Sequence, residues 1–567
     1  MPKINGAEIV LKVLERNGVD QIFGIPGGVV LPLYDKLYFS KIKHHLTRHE
    51  QGAVHMAQGY ARVTGKVGVA FVTSGPGATN TVTGLYDAKL DSIPILVISG
   101  QVSRPIIGTD GFQEADVVGI TMAATKHNDL VSKIEDLEKT IEQALIIAQE
   151  GRPGPVLIDI PKDIFLSEID YPLLPNKKVK IEKIEVKGEF EDAARALCEA
   201  KKPLCYFGGG IINADASKEL VQIIELLNLP ATPTLMGLGA LSGKHKNNLG
   251  MLGMHGTFAA NRAMHETDCI LAAGVRFDDR VTGKLAEFAP YAKVIHIEVD
   301  PAEISKIKKA DWPLIGDAKL GLEKLTQDVK KYLSEGHSNR TISMKNWWET
   351  VNNWRDNYPL QYEKHPKKIK PQQIIEECYK QTKGNIIAAT DVGQHQMWAA
   401  QYFPVHEPRC WVTSGGLGTM GYGLPAAIGA KFGKPDKTVI AFVGDGSFQM
   451  NIQELSSLML EHVNVKIIIF NNGFLGMVRQ WQELFFGERY SATPLRELSP
   501  DFVKIAGAYK ITAKKVIDPK DLSKAISEML KHKGPYLLDV ITDEEEHVYP
   551  MVPAGAASKD MLLKKEL

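Results

Sequence analysis

The stretch Val439-Ile440-Ala441-Phe442-Val443-Gly444-Asp445-Gly446-Ser447 decides how the chain is read, because five apolar residues run straight into a tight polar turn. An apolar run of that length closed by glycine predicts a buried strand. Beyond it, Asn451 to His462 carries apolar residues at helical spacing, and a second apolar run, Val465 to Phe470, stops at Asn471-Asn472-Gly473. The order is strand, loop, helix, strand, loop. A right-handed crossover sets the carboxyl ends of two parallel strands side by side, so Asp445 and Asn472 are expected at one edge of one sheet. Their oxygens suit a small divalent cation, held by Asp445, the Asn472 amide oxygen, the Phe474 carbonyl and phosphate oxygens. The glycines beside Asp445 admit a close ligand, and the helix N-terminus that follows favours a phosphate. Taken singly, each turn is more often structural.

Working outward, the same grammar recurs. Strand signals at Gln21–Phe23, Val67–Thr73 and Ile95–Ser99 alternate with helical stretches such as Ala7–Asn17. This alternation predicts a doubly wound parallel sheet. A similar unit resumes at Ile386 to Thr390, with Asp391-Val392-Gly393-Gln394-His395, and continues through Gly415 to Gly423. Between them a differing domain shows Leu204–Phe207 before Gly208-Gly209-Gly210, Ile270–Ala273 before Gly274 to Gly283, and Val294–Val299 before Asp300. Successive strands ending in glycine and polar residues line a dinucleotide crevice, although Gly-x-Gly-x-x-Gly is absent from this domain. The expected fold is therefore α/β: three doubly wound parallel-sheet domains, the first and third similar, the middle one Rossmann-like. Boundaries are expected at 1–175, 190–335 and 365–550, with a tail at 551–567. The Lys/Glu-rich stretch 176–191 reads as one linker, and the tryptophan-bearing helical patterns (Trp347, Trp348, Trp354) with Lys364–Lys370 read as a second.

Composition narrows the function. The 567 residues carry 67 basic and 67 acidic side chains, so no nucleic acid or anionic membrane is expected as partner. Five scattered cysteines without Cys-x-x-Cys spacing suit a reducing compartment. With no signal-peptide pattern and no apolar run of membrane length, a cytoplasmic protein is expected.

The spacing Gly-Asp-Gly, 24 residues, Asn-Asn resembles the thiamine-diphosphate motif of thiamine-dependent decarboxylases and carboligases. Across nearly its whole length the chain resembles the catalytic subunits of the acetohydroxyacid (acetolactate) synthase family. The resemblance is carried by Arg48-His49-Glu50, Gly108 to Glu114, Arg276 to Arg280, Gly415 to Gly423, Gly476 to Gln482 and Tyr549 to Pro553. It implies thiamine diphosphate, Mg2+ and FAD as cofactors, with the flavin in the middle domain. It further implies that pyruvate is decarboxylated and its two-carbon unit transferred to pyruvate or 2-ketobutyrate, in branched-chain amino-acid biosynthesis. Glu50, Gln113, Lys162, Met420 and Trp481 are implied as catalytic. Glu50 would bond a cofactor ring nitrogen, Met420 would wedge beneath the cofactor, the Gly418 carbonyl would accept from its amino group, and Trp481 would favour 2-ketobutyrate. Lys162 and Arg276 suit carboxylate recognition. The implied cofactor set continues through Pro76, Asn80, Gly393, Gln394, His395, Gly444, Asp445, Gly446, Ser447, Asn472, Phe474, Leu475, Gly476 and Met477. It extends to Arg152, Gly208, Gly209, Gly210, Met254, His255, Gly274, Val275, Arg276, Asp278, Arg280, Asp300 and Asp317. A homodimer or homotetramer with the site shared between chains, and a small regulatory subunit, are also implied. Val29, Ser103 and Gly111 depart from the family's usual Ala, Pro and Ala, at positions associated with herbicide binding. A pyruvate oxidase-like thiamine flavoprotein is the competing enzyme reading; a non-catalytic thiamine-diphosphate-binding subunit is the other.

Overall fold

The computed structural model describes residues 3–171, 178–336, 340–496 and 499–564. Residues 1–2 and 172–175 of the expected first domain, 176–177 of the linker, 497–498 of the third domain and 565–567 of the tail lie outside them. Strand β1 (Lys3–Asn5) precedes the first sheet, which contains β2 (Gln21–Gly24), β3 (Lys43–Leu46), β4 (Gly68–Val72), β5 (Ile95–Gln101), β6 (His127–Leu130) and β7 (Pro155–Pro161). Strand β8 (Glu168–Asp170) then returns antiparallel to β1. The middle sheet holds β9 (Pro203–Phe207), β10 (Ala231–Pro233), β11 (Cys269–Ala273), β12 (Lys293–Glu298) and β13 (Trp312–Ile315). The third holds β14 (Ile387–Thr390), β15 (Trp411–Val412), β16 (Val439–Gly444), β17 (Val465–Asn471), β18 (Thr512–Val516) and β19 (Tyr536–Ile541).

The first sheet is ordered β3-β2-β4-β5-β7-β6 and the third β15-β14-β16-β17-β19-β18. Counted from its own first strand, each reads 2-1-3-4-6-5, so the two domains share one topology. Pairing is parallel throughout the first sheet and through β14 and β16–β19 of the third. Residues 439–443 of β16 and 467–469 of β17 are wholly buried, as the continuous apolar runs of a sheet covered on both faces require. The middle sheet, β10-β9-β11-β12-β13, is also parallel and reads 2-1-3-4-5. That is the flavodoxin-like doubly wound order.

By compactness the chain divides into two units. One comprises Met1–Glu182, Ile386–His395 and Val412–Ile541, and so contains the first and third sheets; the other comprises Lys183–Asn385, Gln396–Trp411 and Thr542–Leu567 around the middle sheet. Inside the first unit the helices Glu50–Thr64 and Gly423–Gly433 cross with almost no separation. A Cβ on Gly59 would lie 2.0 Å from the Ala426 carbonyl oxygen, and one on Gly429 would lie 1.8 Å from that of Met56. Only glycine permits so close a crossing.

Two sequence expectations change. The helix expected over Asn451 to His462 is instead a 3-10 turn, Ile452–Glu454, and a short helix, Leu455–Glu461, with His462 at φ 50°. Non-local bonds break the pattern: the Asn451 side chain donates to the Gly421 carbonyl, and Glu454 turns inward to accept the Arg48 backbone N–H. The helix Arg340–Asn357, expected within a linker, packs on the middle sheet. Its Trp347 is 2% exposed, joins a core with Leu204, Tyr206 and Val351, and donates its indole N–H to the Pro203 carbonyl.

Candidate active site

Strand order reverses in the third sheet between β14 and β16, where an open α/β sheet forms its ligand crevice. The segment Val392–His395, whose last two residues open a helix, leaves β14 at this point and Gly444–Ser447 leaves β16. They meet: a Cβ on Gly444 would lie 3.0 Å from the His395 ring. Strand β17 pairs beside β16 with Gly444 opposite Phe470, and the Gly473 backbone N–H donates to Asp445 Oδ2 at 3.0 Å. Asn472 Oδ1 accepts from the Phe474 N–H at 3.0 Å. Gln394 enters the same space, since a Cβ on Gly476 would lie 2.2 Å from Gln394 Oε1 and 2.5 Å from Asn472 Nδ2. The structure thus brings together Gly393, Gln394, His395, Asp445, Asn472 and Gly476. Gly446, Phe474 and Leu475 border this space, a Cβ on Gly446 lying 2.7 Å from Leu475.

The donor set fits a divalent cation. Burial pushes the Asp445 carboxyl up to about 7 against the pull of the Gly473 N–H. No group of three or more His, Cys, Asp or Glu able to hold a metal occurs among the described residues. An ion at Asp445 would need amide or carbonyl oxygens as well, and the Asn472 amide is the nearest such side chain on the β17 tip. His395 stands beside it as a neutral imidazole. Burial pushes its imidazole down to about 3, and Nε2 is buried without a hydrogen-bond partner among the described residues.

The first sheet carries a half-site of its own at its carboxyl edge. Glu50 opens the helix after β3, with His49 as its N-cap, and the Asn80 amide donates to Glu50 Oε2 at 2.9 Å. A Cβ on Gly77 would lie 3.5 Å from Glu50 Oε1, so the turn Pro76–Asn80 after β4 lies against this carboxylate. Gln113, at φ 60°, closes on the same turn: a Cβ on Gly75 would lie 2.8 Å from its carbonyl oxygen. Lys162 begins the short helix after β7. Arg152 belongs to this half and bonds Ser92 through Nε at 2.9 Å.

Loop Ser414–Met420, which carries Gly418 and Met420, is held by acids at the C-terminal end of the helix Val82–Leu90 of the first domain. Asp87 accepts from the Ser414 and Thr419 hydroxyls, and Asp91 accepts from the Gly415 and Gly416 N–H groups and from Arg62. Burial pushes both carboxyls upward, with Arg62 opposing. Asp391 accepts from the Gly421 and Gly423 N–H groups, and burial pushes it up to about 6. Trp481, half-buried on the helix Gly476–Phe485, has its ring edge against Phe485.

In the middle sheet the reversal falls between β9 and β11. Gly208–Gly210 and Gly274–Arg280 leave those strands, and Asp300 and Asp317 follow β12 and β13. A Cβ on Gly210 would lie 2.6 Å from the Gly274 Cα, so these glycines are required by backbone contact as well as by any ligand. Val275 is buried and Arg276 half-buried, while Asp278 and Arg280 are exposed at the crevice edge. Met254 N–H donates to the Arg280 carbonyl at 2.8 Å, and burial pushes His255 down to about 4. Asp300 and Asp317 already cap backbone N–H groups, Asp317 at the head of the helix Ala318–Ser334.

Asp87, Asp91, Asp391 and Glu454 were not singled out from sequence. The helix Val82–Leu90 around Asp87 also carries Thr83 and Lys89, so its polarity pattern did not single Asp87 out.

Three descriptions of thiamine pyrophosphate enzymes match the chain: the N-terminal TPP binding domain over residues 4–120, the central domain over 190–325 and the C-terminal TPP binding domain over 391–540. The fold and its tip residues define an enzyme of that class. The acetolactate synthase large subunit of Haemophilus influenzae is 47% identical over 572 residues, covering 100% of this chain and 99% of its own. The isozyme 3 and isozyme 2 large subunits of Escherichia coli are each 46% identical, over 100% and 99% of this chain and 99% and 100% of theirs. The chain belongs to this acetolactate synthase large-subunit family. No helix among the described residues is long and apolar enough to cross a membrane.

Proposed function

We propose that this chain is the catalytic large subunit of an acetolactate synthase. It decarboxylates pyruvate and transfers the two-carbon unit to a second 2-ketoacid, pyruvate or 2-ketobutyrate, giving 2-acetolactate or 2-aceto-2-hydroxybutyrate for branched-chain amino-acid synthesis. The observation that carries the reading is the clasp of the β16 and β17 tips by the Gly473 N–H on Asp445, beside the reversal point of a sheet that matches the C-terminal TPP binding domain.

In this reading Asp445, the Asn472 amide and the Phe474 carbonyl hold Mg2+, while Gly393, Gln394, His395, Gly444, Gly446, Ser447, Leu475, Gly476 and Met477 surround the diphosphate. Thiamine diphosphate supplies an acidic carbon for attack on pyruvate and a sink for the electron pair released with carbon dioxide. Glu50 holds a proton at the far nitrogen of the pyrimidine ring, and the Asn80 bond fixes which oxygen does so. Pro76, the Gly418 carbonyl and Met420 are the residues that would hold that ring. By family resemblance Lys162, Gln113 and Trp481 serve the substrate, and Arg276 is suited to a carboxylate. FAD takes the crevice between β9 and β11 without net redox change; the 2-1-3-4-5 order supports that placement. The relatives' names support a small regulatory subunit, and the family resemblance supports a homodimer or homotetramer in the cytoplasm.

The test is acetolactate formation from pyruvate, with and without 2-ketobutyrate, Mg2+, thiamine diphosphate and FAD. Product that needs Mg2+ and thiamine diphosphate, with a flavin spectrum that stays oxidised under anaerobic pyruvate, is expected. A flavin bleached at the turnover rate would make the chain an oxidase instead.

A further inference from the structure

The turn that presents Glu50 is held by the crossover that also carries Asp445. Glu454, on that crossover between β16 and β17, is 0% exposed, and its two carboxylate oxygens lie 3.1 and 3.3 Å from the Arg48 backbone nitrogen, whose N–H they accept. The Ser457 hydroxyl lies 2.8 Å from Glu454 Oε2 and 3.1 Å from the carbonyl oxygen of Leu46, the last residue of β3. On the other side the carboxylate rests against Gly52, where a Cβ would lie 2.5 Å from Oε1. One buried acid therefore grips the backbone two residues before Glu50 and packs under the residue two after it. No lysine or arginine forms an ion pair with it among the described residues; its donors are the Arg48 backbone N–H, one residue before the helix N-cap His49, and one hydroxyl.

We propose that Glu454 is a positioning residue for Glu50, setting the height and angle of the Glu50 carboxylate from the segment that bears Asp445. The proposal rests on the role given to Glu50 above. An acid present only to fill space would leave Glu50 untouched when replaced by its amide, because glutamine has the same shape. A positioning acid would not, because the amide keeps one acceptor oxygen and sets an NH2 group against the Arg48 N–H.

The test uses the full chain loaded with FAD, Mg2+ and thiamine diphosphate. Hydrogen–deuterium exchange at C2 of the bound thiamine diphosphate reads the Glu50 contact directly. Glu454→Gln is expected to slow that exchange about tenfold or more, while the Kd for thiamine diphosphate stays within about threefold because the Asp445 clasp is intact. In the cofactor-free chain the same variant should raise amide exchange at Arg48 and His49. Gly52→Ala, which pushes the carboxylate aside without removing it, should slow C2 exchange in the same direction. Glu50→Gln is the reference. Slow exchange in Glu50→Gln with parental rates in both other variants overturns the positioning role and leaves that of Glu50 standing. Parental rates in all three overturn both. If Glu454→Gln does not fold, Gly52→Ala decides alone.

Discussion

Consider Gly59→Ala, in the helix that begins at Glu50. The added Cβ would lie 2.0 Å from the Ala426 carbonyl oxygen and 2.9 Å from the Ala426 Cα, both backbone atoms that no rotamer change can move. Comfortable contact begins near 3.5 Å, so the two helices must part by about 1 Å or more, and a gap of that size forfeits roughly a quarter to a half of the dispersion between facing atoms. Overpacking of this kind costs about 2–4 kcal/mol. At roughly 2 °C per kcal/mol for a large unit, the melting temperature should fall by about 4–8 °C. Function should fall further than stability. The helix that moves presents Glu50, its partner follows the Met420 loop, and a displacement of about 1 Å between reacting groups costs up to ~10²-fold. The control is Gly507→Ala in the helix Phe502–Ala508, where a Cβ meets nothing within 4 Å. There the same substitution should stabilise by about 0.5–1 kcal/mol through lost freedom of the unfolded chain. Thermal unfolding of the cofactor-loaded chain, with kcat measured at a temperature where both variants are folded, checks both signs. A Gly59→Ala chain that melts with its parent and turns over normally would refute the close crossing.

Mixing an inactive Glu50→Ala chain with an inactive Asp445→Ala chain should restore part of the activity, and an absence of rescue under subunit exchange would count against a site shared between chains. Sulfonylurea-type inhibition should be weak because of Val29, Ser103 and Gly111, with turnover unaffected. At Gly111 an added Cβ would lie 2.4 Å from Ile106 Cγ2, so this loop takes a shape that the family's alanine would alter; inhibition at the usual family level would overturn that. Trp481→Leu should lose preference for 2-ketobutyrate over pyruvate by about tenfold or more in competition assays, since the pocket would no longer read one methylene. Burial pushes the His55 imidazole down to about 3. Its folded value lies below its unfolded value, so the unfolded chain binds the extra proton: the stability is complete above pH ~6.5 and is lost as pH falls, at up to ~1.4 kcal/mol per unit. His55→Gln should flatten the acid side of a stability–pH curve; an unchanged slope would remove His55 from the account.

Local chemistry made much of this chain legible without coordinates. Apolar runs such as 439–443 and 465–470 can satisfy burial on both faces only as interior strands of a parallel sheet, and glycine or asparagine at their ends marks where the chain turns. Parallel strands joined by crossovers put those ends on one edge, so Asp445, Asn472, Glu50 and the 76–80 turn could be assigned to strand tips from order alone. Family resemblance then supplied the chemistry. What neighbours in sequence could not decide was which acids are spent holding those tips. Asp87 and Asp91 meet the Ser414–Gly416 segment across more than 300 positions, and Glu454 meets Arg48 across 406. These contacts also broke the helix expected over Asn451 to His462 and demanded glycine at 59 and 429. Trp347 likewise found its place only against Pro203, 144 residues away. Periodicity records how a segment meets its own neighbours, whereas the placement of a buried charge or of a helix crossing depends on a surface that exists only once the sheets have packed.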